Sequence, residues 1–324
     1  MPRNDQMSAS VARRAQKIEA ANGLVHSSQR TIAVELPIAF LYGDAPYAVM
    51  MASPGDAEDF AYGFSLTEGI VRSAEEIRAV KLVPQEKGLH VEIELAPGRF
   101  REHLARRRAM TGRTSCGLCG IETIEQLPQA SRLEPAAPIA TEAVFRALAN
   151  LEKNQELNAA THAVHAAAFC ARDGVILAVR EDVGRHNALD KLIGALIRES
   201  RATRDGFIVV TSRASFEMVE KAAISGATTL VAISAPTSLA IERAEKLGLT
   251  LAAIARADSL MVFSGALERF PAKWIPVRVK KTRKNSNLES RSDSIGSEKA
   301  LEPYSAQNPG ASNSWDKTSK ARVS

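Results

Sequence analysis

Cysteine is scarce in this chain, with Cys116, Cys119 and Cys170 the only three among 324 residues. So small and odd a number excludes a disulfide framework and, within one chain, a four-thiolate zinc site. No run of about 18 apolar residues occurs, so no membrane-spanning helix and no membrane partner are expected. The first thirty residues lack the apolar stretch of a secretory leader and carry Arg13, Arg14 and Lys17 instead. The protein is therefore expected in the cytoplasm, with its thiols reduced between turnovers. Neither G-x-x-x-x-G-K-[ST] nor G-x-G-x-x-G is present, which removes the common nucleotide loops. Strong charge is missing from the middle of the chain: residues 1–30 supply +3 and residues 280–324 supply +4 of a net +5, leaving −2 between them. Basic character confined to the ends argues against a nucleic-acid partner for the fold.

What is present is alternation. Residues 1–28 read as a flexible N-terminal tail, and residues 281–324, rich in Ser, Asn and Lys, as a disordered C-terminal one. Residues 29–135 read as an α+β part holding a C-x-x-C loop, and 136–280 as an α/β part. In the first part, strands are expected over 31–36 and 47–52, a helix over 56–68 capped by Asp56, and a hairpin of 77–83 with 89–95 across Lys87-Gly88. A basic helix over 100–108 leads to the cysteines, and a long helix covers 141–157. In the second part, 163–171 and 175–180 flank the hairpin signal Asp173-Gly174. Helices over 187–197, 216–225 and 238–247 then alternate with strands over 207–211, 229–234 and 249–255. That alternation predicts βαβ units and a sheet covered on both faces.

Arg113-Thr-Ser-Cys-Gly-Leu-Cys-Gly120 is the most informative segment. A C-x-x-C pair can hold a metal, exchange a disulfide, or carry sulfur as a persulfide. Arg99, Arg101, Arg106, Arg107, Arg108 and Arg113 precede it, opposed in that run by Glu102 alone. Such a field favours thiolate, the reactive form, and makes Cys116 the first candidate for the working atom. Gly117 and Gly120 give the loop freedom to turn between a donor and an acceptor. Cys170, on an expected strand among alanines, reads as a small core residue.

The densest polar cluster runs from Arg180 to Lys191, at a strand-to-helix junction where α/β sheets gather ligands. Asp182, Arg185, His186, Asn187, Asp190 and Lys191 are all candidates there. Ser212 to Met218 and Ser234 to Ser238 open helices after strands and could receive phosphate. His162 and His165 with Cys116 and Cys119 would give four zinc ligands, as in zinc deaminases. However, those enzymes use H-x-E followed by P-C-x-x-C, whereas here the order is reversed and no Glu follows either histidine at that spacing. No metal site is therefore assigned.

Together these segments resemble the FdhD family, the sulfur carriers that serve formate dehydrogenases. The matching pieces are Asp59-Phe-Ala-Tyr-Gly-Phe-Ser-Leu-Thr-Glu-Gly-Ile70, the Arg113–Gly120 segment, Thr161-His-Ala-Val-His-Ala166, Arg180 to Lys191, Ser215-Phe-Glu-Met-Val219 and Ser234-Ala-Pro-Thr-Ser-Leu-Ala240. They keep family order over roughly residues 31–263. The resemblance implies a cytidine-deaminase-like α/β fold, a layered mixed sheet flanked by helices, in a homodimer. It implies a sulfurtransferase that takes sulfur from a cysteine desulfurase as a Cys persulfide. The sulfur then passes to the molybdenum cofactor, bis(molybdopterin guanine dinucleotide), before insertion into the formate dehydrogenase catalytic subunit. Cys116 matches the persulfide-bearing residue and Cys119 its partner. Ile254, Ala255, Arg256, Ala257, Asp258 and Ser259 match the cofactor-binding segment, and Arg185 and His186 are expected beside the phosphates or guanine, with Lys191. Ala163, Thr211 and Met261-Val-Phe263 depart from the family pattern. Two other readings use the same residues: a non-catalytic cofactor-binding chaperone and a C-x-x-C disulfide exchanger.

Overall fold

The computed structural model describes residues 7–21, 23–100, 102 and 129–269. The chain opens with strands β1 (Ser10–Ile18) and β2 (Val25–Ala33), which pair antiparallel as a sheet of their own. Residues expected to form a tail are thus a hairpin. Its strands are polar on both faces, so they lack the apolar alternation that marks a strand in sequence.

A four-stranded sheet follows in the order β4-β3-β6-β5, built from β3 (Leu36–Tyr42), β4 (Ala45–Ala52), β5 (Ile77–Gln85) and β6 (Gly88–Leu95). β5 and β6 form the hairpin expected across Lys87-Gly88. Period-two patterning sends Ile38, Phe40 and Tyr42 inward, where all three are completely buried. They meet helix α1 (Ala57–Thr67), with Phe40 stacked on Phe64 at 4.6 Å and edge-on to Phe60 at 5.0 Å. Asp56 precedes α1 at φ 56° and makes no side-chain cap. It lies 3.6 Å from Arg180 instead.

The larger sheet has the order β12-β11-β10-β9-β7-β8. Helices α2 (Thr141–Leu151) and α3 (Glu156–Thr161), split where one long helix is expected, lead to β7 (His165–Ala171) and β8 (Ile176–Asp182). Helix α4 (Arg185–Arg198), β9 (Gly206–Val210), α5 (Phe216–Ile224), β10 (Thr229–Ala232), α6 (Ser238–Leu247), β11 (Thr250–Ala253) and β12 (Met261–Ser264) complete it. β9, β10 and β11 are parallel, and β7 and β12 run against them. The mixed α/β class expected from the sequence is what forms. Every residue of β9 and β10 is buried, as a sheet covered on both faces requires.

On one face α2 closes a core with Ala168, Cys170, Phe207 and Val209. On the other face α4, α5 and α6 share a single core with α1 and the four-stranded sheet. Cys170 is fully buried in the α2-side core, and burial pushes its thiol up to about 12, which bars it from thiolate chemistry. Helices α1 and α4 touch through Gly63 and Gly194, where an added Cβ would stand 1.7 Å from Asp190 O or 1.8 Å from Asp59 O respectively.

Candidate functional site

β8, β9, β10 and β11 all end at one rim of the large sheet, and β7 begins there, because His165 pairs with Asp182 and Ala167 with Val210. The rim therefore gathers residues 162–165, 183–187, 211–217, 233–238 and 254–259, together with the N-termini of α4, α5 and α6. The segments are stitched to one another: Ser234 N donates to Ser212 O at 3.3 Å, Thr237 N to Ala214 O at 3.0 Å, and Ile254 N to Ser234 O at 3.2 Å. Thr211, one of the family departures, accepts from Ala166 N at 2.9 Å and lies 3.5 Å from His165 Nδ1.

Most of the polar cluster from Arg180 to Lys191 turns away from this rim. Arg180 binds Asp59, with its Nε 2.8 Å from the carboxylate. Glu181 accepts from Leu157 N and Asn158 N at 2.8 Å each, closing the start of α3. Asp182 is completely buried, 2.6 Å from the equally buried Lys191. It also accepts from Ser53 N at 2.9 Å, Gly184 N at 2.8 Å and Asn187 Nδ2 at 2.9 Å. Lys191 donates to Ser53 O at 2.8 Å, and Asn187 to Met51 O at 2.9 Å. Asp190 accepts from Thr67 at 2.8 Å and pairs with Lys221 at 2.8 Å. Lys191, expected beside a ligand, is thus a structural residue. Together these bonds lock the 183–187 loop against β4 and present Arg185 and His186 alone.

Around those two the rim is electrostatically coupled. His186 Nε2 lies 2.8 Å from Glu217 Oε2, although its N–H is not aligned for a hydrogen bond. Arg185 Nε, His186 Nε2 and Ser215 Oγ are buried polar atoms without a hydrogen-bond partner among the described residues. Burial, reinforced by Arg185 and His186, holds His165 below the usual histidine range and so favours its neutral form. Contact with His186, helped by Arg185 and Lys221 and opposed by burial, holds Glu217 below the usual carboxylate range. A carboxylate depressed in the fold stabilises above its unfolded pKa, and that contribution vanishes as pH falls through the folded value. Wild type should therefore exceed Glu217→Gln in thermal midpoint near pH 6, and the gap should close well below pH 4. A gap that widens in acid would remove this pairing.

In the 254–259 segment, Ile254 holds a left-handed φ of 52°. Ala255 is buried in the α2-side core, so only its backbone is on offer. Arg256 N donates to Ser259 O at 2.7 Å and its guanidinium binds Ile233 O and Ala255 O. Ala257, Asp258 and Ser259 are exposed.

Residues 33–270 match the model of the FdhD/NarQ family. The chain belongs to that family. It is 45% identical over 258 residues to the sulfur carrier protein FdhD of Agrobacterium fabrum, covering 78% of this chain and 94% of that one. The sulfur carrier protein FdhD of Bordetella petrii is 44% identical over 250 residues, covering 76% and 90%. A candidate formate dehydrogenase accessory protein from Desulfotalea psychrophila shares the fold, with TM-score 0.64 at 24% identity over 80% of this chain and 98% of that one.

In this FdhD/NarQ chain Cys116 and Cys119 lie outside the described residues, as does the helix expected over 100–108 apart from residues 100 and 102. Both ends of that stretch are tied down. Arg99 donates to Gly69 O at 2.9 Å and pairs with Glu102 at 2.6 Å and Glu76 at 3.4 Å, so it anchors rather than adds to a free basic field. Ala130 N donates to Glu220 at 2.7 Å, and Arg243 donates to Ala130 O at 3.0 Å. His162 ends α3 with an exposed side chain, whereas His165 is half-buried at the rim. Glu217 is the rim residue that sequence reasoning missed. It lies in the Ser215–Val219 segment that carries the resemblance, but sequence does not show its pairing, because its partner comes from another helix. No helix among the described residues is long and apolar enough to cross a membrane.

Proposed function

We propose that this chain is a sulfur carrier in formate dehydrogenase maturation, with Cys116 as the persulfide-bearing residue. The relatives' shared name supports the sulfur carrier role, and the C-x-x-C loop supplies thiols of the kind that role needs. In the first step the Cys116 thiolate attacks the terminal sulfur of a cysteine desulfurase persulfide. An S–S bond forms on Cys116 as the donor's own S–S bond breaks, and the donor thiolate leaves. In the second step the outer sulfur passes to bis(molybdopterin guanine dinucleotide), the substrate. Release of that sulfur as sulfide balances when the Cys119 thiolate attacks Cys116 and the pair closes to a disulfide.

The observation that carries the acceptor half is the pair of polar atoms without a hydrogen-bond partner, Arg185 Nε and Ser215 Oγ, at the N-termini of α4 and α5. A guanidinium beside a helix N-terminus fits diphosphate chemistry. Arg185 and His186 would hold phosphate oxygens, and the backbone of 254–259 would flank the nucleotide. The sulfurated cofactor then serves the catalytic subunit of formate dehydrogenase, and the carrier acts as a homodimer.

Intact-protein mass spectrometry after incubation with a cysteine desulfurase and cysteine tests the reading. Wild type should gain one reducible sulfur atom, Cys116→Ala none, and Cys119→Ala should still load. Folded, reduced wild type that gains nothing would end the carrier reading and favour a cofactor-binding chaperone.

A further inference from the structure

We propose that the β1–β2 hairpin is an arm that docks tip-first on an anionic lipid bilayer. This goes beyond the sulfur-carrier reading and does not depend on it, since the paired strands reach Ala33 and the family match begins only at residue 33.

Among the described residues the hairpin has no third strand, and nearly all its residues are exposed on both faces. Its register puts Arg13 directly opposite Arg30, and Lys17 opposite His26. Arg14, opposite Gln29, faces the other way. Like charges directly opposed on a ribbon destabilise it, and a two-stranded sheet is marginal in water to begin with. The one acid of the two strands and their turn, Glu19, lies 3.7 Å from His26. The far end is apolar: Ile18 and Val25, paired with each other, are 68% and 54% exposed, and Leu24 is 53% exposed.

A basic shaft with an apolar tip matches one surface chemistry. Anionic headgroups would neutralise the arginines, while Ile18, Leu24 and Val25 enter the boundary with the acyl chains. A nucleic acid would leave the apolar tip unused, and the strands hold no Phe, Tyr or Trp on which bases could stack. A protein groove would engage one face, whereas basic residues stand on both, as suits approach end-on to a plane. Long basic side chains set back from the tip reach headgroups by extending along the shaft. The lack of a spanning helix has no bearing on such surface attachment.

The test is co-sedimentation of the full chain with vesicles of phosphatidylcholine alone, and of phosphatidylcholine mixed equally with phosphatidylglycerol. Wild type should pellet with the mixed vesicles only, and raised salt should release it. Each basic residue near such a surface strengthens binding roughly fivefold. Arg13→Glu with Arg30→Glu should therefore weaken binding by at least about tenfold, and Ile18→Asp with Val25→Asp by a similar factor. Thermal midpoints of the variants check that the body is intact, and the salt release on wild type needs no variant. Failure of wild type to pellet with mixed vesicles would overturn the proposal. So would unchanged binding by either variant, or retention of duplex DNA or polyglutamate by a protein that ignores the vesicles.

Discussion

Replacing Lys191 by Met should lower the thermal midpoint on the order of 10 °C, although position 191 is nowhere exposed. Methionine matches the length of the stem but removes the ammonium that sits 2.6 Å from Asp182 and bonds Ser53 O. Breaking a buried pair from one side leaves the other charge without compensation, at a cost of about 3–5 kcal/mol. Asp182 keeps Ser53 N, Gly184 N and Asn187 Nδ2, three donors that hold a carboxylate but do not cancel its charge. Adding Asp182→Asn to Lys191→Met should therefore recover part of the loss. Differential scanning fluorimetry of the two singles and the double gives the result directly. A single mutant within about 2 °C of wild type would mean that the pair is not what ties α4 to β4.

Gly194→Ala should be as damaging, for a reason of shape rather than charge. The new methyl group would stand 1.8 Å from Asp59 O and 2.8 Å from Gly63 N, both backbone atoms that cannot swing aside. Helices α1 and α4 would have to part, loosening Phe60 and Phe64 against Leu192 and Ile193 in the shared core. Separation would also strain the Arg198 and Arg180 pairs to Asp59 and the Thr67–Asp190 bond. Overpacking of this kind costs about 3 kcal/mol or more when backbone must move. Gly55→Ala, where nothing lies within 4 Å of the new carbon, is the control and should change stability by less than about 1 kcal/mol. Equal midpoints for the two variants would show that the helices do not rely on this close approach.

Much of the second half was legible because its signals are local. Asp173-Gly174 announces the β7–β8 turn, Gly248 ends α6 in a left-handed conformation, and the apolar runs of β9 and β10 fit a doubly covered sheet. β1 and β2 escaped because Arg13, Arg14, Gln16 and Lys17 show no apolar period. β12 escaped because its Met261 and Val262 are exposed on a short edge strand. The site was half legible. Sequence gathers Asp182, Arg185, His186, Asp190 and Lys191 into one cluster and cannot say which of them face solvent. That sorting is done by Ser53 and Thr67, more than a hundred residues away, which take up Asp182, Lys191 and Asp190 and leave Arg185 and His186. Glu217 becomes a partner of His186 only when α5 packs beside α4.

The bonds from Met51 and Ser53 to Asn187, Asp182 and Lys191 span 129 to 138 residues of chain. During synthesis at about 5–20 residues per second, β4 waits roughly seven to thirty seconds for the helix that completes it. Until then Phe60 and Phe64 lack the α4 side of their core, and the nascent chain presents a sticky surface of the sort chaperones hold. Pairings this distant in sequence also slow the search for the native state. The rim is consequently among the last features to mature, and a chain released before α4 emerges has no loop on which Arg185 and His186 could be displayed.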